Sequence, residues 1–118
     1  MTTESESDKR RYPRVSFLDP VQAVAIANPC RHWYLLAQDL SEGGLMLLAP
    51  EVLAVGERLL LGVEVDAVAE PIRAVGRVAW VAQAGCQDHY RVGIEFVEVD
   101  EVARQRLREL VGAKAAER

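Results

Sequence analysis

Three stretches of the chain alternate apolar and polar residues with a period of two, the signature of a strand with one buried face. From Arg58 to Val65, Leu59, Leu61, Val63 and Val65 share one face and Arg58 and Glu64 the other. Between Ile72 and Ala82, Ile72, Ala74, Val78 and Trp80 oppose Arg73 and Arg77. Tyr90, Val92, Ile94 and Phe96 oppose Arg91 and Glu95 in the same way. Upstream, three more strands are expected: Val21 to Ala27, bounded by Pro20 and Asn28–Pro29, then Trp33 to Gln38, then Gly44 to Leu48. Turn residues separate the runs at Asn28 to Arg31, Ala49 to Gly56, Asp66 to Glu70 and Gly85 to Asp88. After Val99 the period changes. Ala103, Leu107, Leu110 and Val111 recur at helical spacing behind Asp100 as N-cap and Glu101 in the first turn, with Gly112 as a stop. Six short strands followed by one helix predict an all-β fold, an antiparallel barrel or sandwich with a C-terminal helix packed on it.

The 118 residues fit one domain, and no internal repeat is visible. Half the residues are hydrophobic but only 6% are aromatic, so Val, Leu, Ile and Ala must build the core. Residues 1–8 are small, polar and acidic and read as a disordered tail, 9–112 as the domain, and 113–118 as a fraying end. Eighteen acidic against 14 basic residues give a net charge of −4, which disfavours long nucleic acid as a partner. Any anion must therefore be held by a local cluster. Cys30 and Cys86 make no disulfide framework and are expected to be reduced in a cytoplasmic chain. No signal peptide is recognised, and the apolar runs are too short to span a bilayer, so a soluble cytoplasmic protein is expected.

Two polar stretches stand out from this frame. Lys9–Arg10–Arg11–Tyr12–Pro13–Arg14 is basic, and Pro13 biases Tyr12 away from helix, so the arginines are expected on an extended loop. Taken alone, such a run reads as a solvated charged tail. Asp39–Leu40–Ser41–Glu42–Gly43–Gly44 reads as the turn between the second and third strands, because Asp and Ser bond local backbone and Gly admits positive φ. It would offer a ligand a carboxylate, a hydroxyl and an open backbone, while the arginines would bind the ligand's anionic part.

Arg10-x-x-x-Arg14 followed by Asp39-x-Ser41-x-x-Gly44 resembles the two signature motifs of PilZ domains, bacterial receptors for the second messenger cyclic di-GMP. The likeness continues through VGERLLLGVEV, GRVAWV, RVGIEFVEVD and the final helix, and so covers nearly the whole chain. It implies a six-stranded antiparallel β-barrel with a terminal helix, no enzymatic activity, and cyclic di-GMP as ligand in place of any cofactor. Arg10, Arg14, Asp39, Ser41 and Gly44 match the family's ligand contacts, with Arg11 and Gly43 added as neighbours. In this family the residue before the first motif, here Lys9, influences whether one ligand or a stacked pair is bound, and a cation leans towards the pair. A stand-alone domain of this type passes its signal to an unidentified partner protein, as a monomer or weak dimer. Ordering of the N-terminal segment on ligand binding is the expected device.

In an up-and-down meander, the entry to the first strand and the turn between the second and third lie at one end, which would bring the motifs together. Arginine forks match phosphate oxygens and the O6/N7 edge of guanine, and a carboxylate such as Asp39 accepts from guanine N1–H and N2–H. Other constellations are weaker. Cys30-x-His32 and Cys86-x-x-His89 fall in turns at the opposite end, without the spacing of a standard zinc ribbon or finger. Cys86 and His89 lack an orienting third group for nucleophilic catalysis. Trp33 and Trp80 read as core or interface residues before a base-stacking platform. Arg104, Arg106, Arg108 and Glu109 read as a solvated helix face or a docking surface. A PilZ-like adaptor acting without nucleotide is the alternative function. A single-stranded nucleic-acid barrel is disfavoured by the acidic charge and scarce aromatics.

Overall fold

The computed structural model describes residues 15–16, 20–65, 70–84 and 89–116. Among these residues, seven strands and one helix follow in order: β1 (Val15–Ser16), β2 (Pro20–Ala25), β3 (His32–Ser41), β4 (Gly44–Ala49), β5 (Arg58–Val63), β6 (Ile72–Gln83), β7 (Tyr90–Glu98) and α1 (Glu101–Ala116). All pairings are antiparallel. The run β3-β2-β5-β6-β7-β4 is closed by β4 pairing back to β3, making a six-stranded barrel. The short β1 adds to β3 outside that ring, with Val15 opposite Leu40 and Ser16 opposite Asp39.

The barrel is not the up-and-down meander the sequence suggested. β2–β3–β4 and β5–β6–β7 are each a meander, but β2 pairs with β5 and β4 with β7, so residues 50–57 cross one end of the barrel. Leu53, in that crossing, is buried in the interior cluster and plugs the end it spans. Sequence reasoning assumed that consecutive strands are neighbours. The β4–β5 step breaks that rule because a closed barrel can satisfy both edges either way. The prediction about ends survives: the start of β2 and the β3–β4 turn still share one end, opposite the β2–β3 and β6–β7 turns.

The interior is aliphatic, as composition requires, with Val21, Leu40, Leu47, Leu59, Leu61, Ile72, Val92 and Leu107 nearly or wholly excluded from solvent. Burying each such side chain stabilises by about 1.5–3 kcal/mol. Helix α1 begins where expected, with the Ala103 amide donating to Asp100 Oδ1 at 2.7 Å. Ala103, Leu107 and Val111 face the core. The helix continues past Gly112 to Ala116, since Gly112 adopts no left-handed φ that would end it. Its arginines are not simply a solvated face. Arg106 donates to the carbonyls of Glu70 and Pro71, and Arg108 Nε to Glu42 Oε1 at 3.1 Å, tying α1 to the β5–β6 connection and the β3–β4 hairpin.

Candidate functional site

The β3–β4 hairpin is tighter than the sequence implied. Ser41 pairs directly with Gly44, so only Glu42 and Gly43 form the turn, and Asp39, Leu40 and Ser41 belong to β3. Neither turn residue has positive φ; among the described residues only Gly56 does. Local bonds hold the turn instead. Ser41 Oγ accepts from the Gly43 amide at 3.1 Å and lies 3.4 Å from the Gly44 carbonyl. The Gly43 carbonyl accepts from the Phe96 amide at 2.8 Å, fastening the turn to β7. Gly44 is required for close approach, because a Cβ there would run into the Ile94 carbonyl oxygen. Ser41, Gly43 and Gly44 thus all have structural duties that need no ligand.

Asp39 owes its placement to a β-bulge. Ala37 pairs with Leu47 and Asp39 with Met46, leaving Gln38 as the extra residue. Leu35 and Ala37 point inward, so strict alternation would drive Asp39 into the core and Leu40 out. The bulge inverts the phase: Leu40 is fully buried and Asp39 is half-buried on the wall. The same device acts on β6. Val78 pairs with Ile94 and Trp80 with Gly93, with Ala79 extra, so Trp80 turns outward and is 42% exposed. This corrects the expectation that Trp80 shares the inward face of Ile72, Ala74 and Val78. Gly93 receives it, since a Cβ there would collide with the indole.

The registers then line up across the wall. Ser16, Asp39, Met46, Gly93 and Trp80 form one row over β1, β3, β4, β7 and β6. Ser41, Gly44, Glu95, Arg77 and Arg58 form a second outward row. Between them runs the buried row Leu40, Leu45, Ile94 and Val78. At strand spacings of about 4.8 Å, Asp39 and Trp80 stand about 14 Å apart across β4 and β7. An open groove of about 550 Å³ lies on this wall, bordered by Ser41–Met46, Trp80, Gly93 and Glu95 and, from the helix, Arg104.

Charges in the groove are mostly matched. Glu95 accepts from Arg77 at 2.6 Å, and Glu42 from Arg108. Arg10, Arg11 and Arg14, with Lys9, lie outside the described residues, but Arg14 directly precedes Val15, whose strand flanks Asp39. Sequence reasoning missed the groove partners Met46, Gly93 and Trp80; the only signal for them was the register that the two bulges create. Trp33, by contrast, is packed against the core as expected, donates to Glu51 Oε2 and lies under the Arg31 guanidinium at 4.9 Å. Cys30, His32 and His89 are exposed, and Cys86 is outside the described residues. Among the described residues no three His, Cys, Asp or Glu side chains gather as a metal site would need.

The sequence profile of the PilZ domain matches residues 8–113. No protein with a curated description matches the sequence. Among solved structures, the Bacillus subtilis inhibitor of motility MotI/DgrA is similar with a TM-score of 0.76 at 18% identity, covering 93% of this chain and 53% of that one. The PilZ domain of Escherichia coli YcgR, solved with c-di-GMP, gives 0.72 at 19% identity, covering 92% and 93%. The complex of MrkH from K. pneumonia with c-di-GMP gives 0.70 at 15% identity, covering 92% and 52%. The chain thus spans about half the length of MotI/DgrA and MrkH.

Proposed function

Since the chain belongs to the PilZ domain family, we propose that it binds cyclic di-GMP on the outer wall of its barrel and relays the signal by ordering its N-terminal segment for a partner protein. The observation that carries this reading is the shared register of Ser16, Asp39, Met46, Gly93 and Trp80. It sets Ser16 beside Asp39, two residues after Arg14 in the sequence, and Asp39 in line with an exposed indole. In the proposed complex Arg10, Arg11 and Arg14 hold phosphate and guanine edges, the former as charge-assisted forks. Asp39 accepts from guanine N1–H and N2–H. Ser41, Gly43 and Gly44 keep the hairpin tight enough for backbone approach, and Trp80 offers a face on which a base stacks. Nothing in this set transfers protons or activates a nucleophile, which fits a receptor and not an enzyme.

Isothermal titration of cyclic di-GMP into the full chain, with cyclic di-AMP as the guanine control, tests the reading. Saturable heat with the guanine ligand alone is expected, lost in Asp39→Ala and Arg14→Ala. NMR should show residues 8–16 gaining order on binding. Absence of heat from the unaltered chain would leave the nucleotide-free adaptor as the better description.

A further inference from the structure

We infer that Arg104 of α1 is an anion-binding residue of this groove, one that takes a phosphate oxygen of the ligand. The inference rests on the proposed binding of cyclic di-GMP and adds a contact from an element that contains neither signature motif.

Residues four apart share a face, so Arg104 and Arg108 point the same way. Arg108 is fixed by its 3.1 Å bond to Glu42 in the hairpin turn, and this directs Arg104, one turn nearer the helix start, into the groove it lines. The arginines that hold groove-lining carboxylates, and Arg106 on the same helix, are committed. Arg108 holds Glu42, Arg77 holds Glu95, and Arg106 holds the Glu70 and Pro71 carbonyls. Arg104 is half-buried, yet its side chain makes no ion pair or hydrogen bond among the described residues.

The two carboxylates bordering the groove, Glu42 and Glu95, are each neutralised, so Arg104 is the charge left over among the lining residues. A guanidinium partly withdrawn from water and without a counter-ion gains from an incoming phosphate, which supplies the oxygens it lacks. The groove runs from Trp80 and Gly93 past the hairpin to Arg104, so a ligand seated against the hairpin borders Arg104. Binding there would also tie ligand to α1, which already contacts β1 and β3.

The test compares the full chain with Arg104→Gln and Arg106→Gln by calorimetry with cyclic di-GMP at fixed salt. Both changes remove one positive charge from the same helix, but only the first faces the groove. Arg104→Gln should weaken binding by about tenfold or more, with part restored in Arg104→Lys, while Arg106→Gln stays within about twofold. The melting temperature of free Arg104→Gln should change little, since no hydrogen bond or ion pair among the described residues is lost, but its gain on adding ligand should shrink. In the unaltered chain, the Arg104 Nε–H resonance should move on titration. If Arg104→Gln binds as tightly as Arg106→Gln, the inference is overturned while the receptor reading stands. If the unaltered chain takes up no cyclic di-GMP, both fall.

Discussion

Arg31 and Arg104 sit at opposite ends of the barrel and show what separates a structural arginine from one open to a ligand. Arg31 is saturated: its guanidinium bonds Glu57 Oε2 at 2.6 Å and stacks over Trp33, which in turn donates to Glu51. Together these tie the β2–β3 turn to the crossing segment 50–57. Arg104 lines a groove with its charge unmatched among the described residues, beside a wall that two bulges have turned outward. One end spends its polar groups on itself. The other holds its hairpin by local bonds and turns Asp39, Trp80 and Arg104 toward the same groove or its margin.

That contrast breaks most completely if the phase of β3 is reset. Deleting Gln38 would remove the bulge, drive Asp39 inward and push Leu40 out. An uncompensated buried carboxylate costs about 3–5 kcal/mol, so the variant should melt far below the parent or fail to fold in a chemical denaturation series. Next in size, Asp39→Ala should weaken cyclic di-GMP binding ten- to a hundredfold in calorimetry, while the barrel stays folded because its core neighbour Leu40 is untouched. Gly44→Ala should act first on the fold, destabilising the free protein by about 1–3 kcal/mol because the new Cβ meets backbone of β7 and not a side chain that can turn away. At the far end, Glu57→Gln should cost about 1 kcal/mol of stability, since Arg31 is 39% exposed, and leave ligand affinity intact.

The smallest effect is expected at Tyr34, on the wall away from the groove. Its hydroxyl donates to Glu64 Oε2 at 2.6 Å, and this bond, with lesser contributions from desolvation and the carboxylate charge, raises its pKa above the ordinary value of about 10. The folded state therefore favours the neutral phenol. That contribution is fully present below the unfolded pKa and disappears as pH climbs through the folded one. Tyrosinate absorbance should show one group titrating late, and Tyr34→Phe should remove it without changing ligand binding at neutral pH.

Much of the barrel could be read directly because its strands alternate cleanly. Leu59, Leu61 and Val63 are buried and Arg58 is not, as the period of two dictates. The helix start was equally legible, since Asp100 carries a local chemical signal. Strand connectivity was not legible, because β4 pairing with β7 and β2 with β5 is a long-range choice that local pattern leaves open. The site was half legible. Asp39, Ser41 and Gly44 stand out by residue type and spacing, but the bulges at Gln38 and Ala79 have no strong sequence mark. Reading β6 in strict alternation put Trp80 in the core, and only the register with Gly93 shows why it faces outward.

The central claim is that the row through Asp39, Met46, Gly93 and Trp80 is the ligand-bearing wall. The direct measurement is a two-dimensional NMR titration of the labelled chain with cyclic di-GMP. The account predicts saturable shifts concentrated at the amides of Asp39, Gly44 and Gly93 and at the Trp80 indole N–H, with Tyr34, Leu36 and Leu60 unmoved. Shifts centred on Tyr34 and Leu60, or none anywhere at saturating nucleotide, would contradict it.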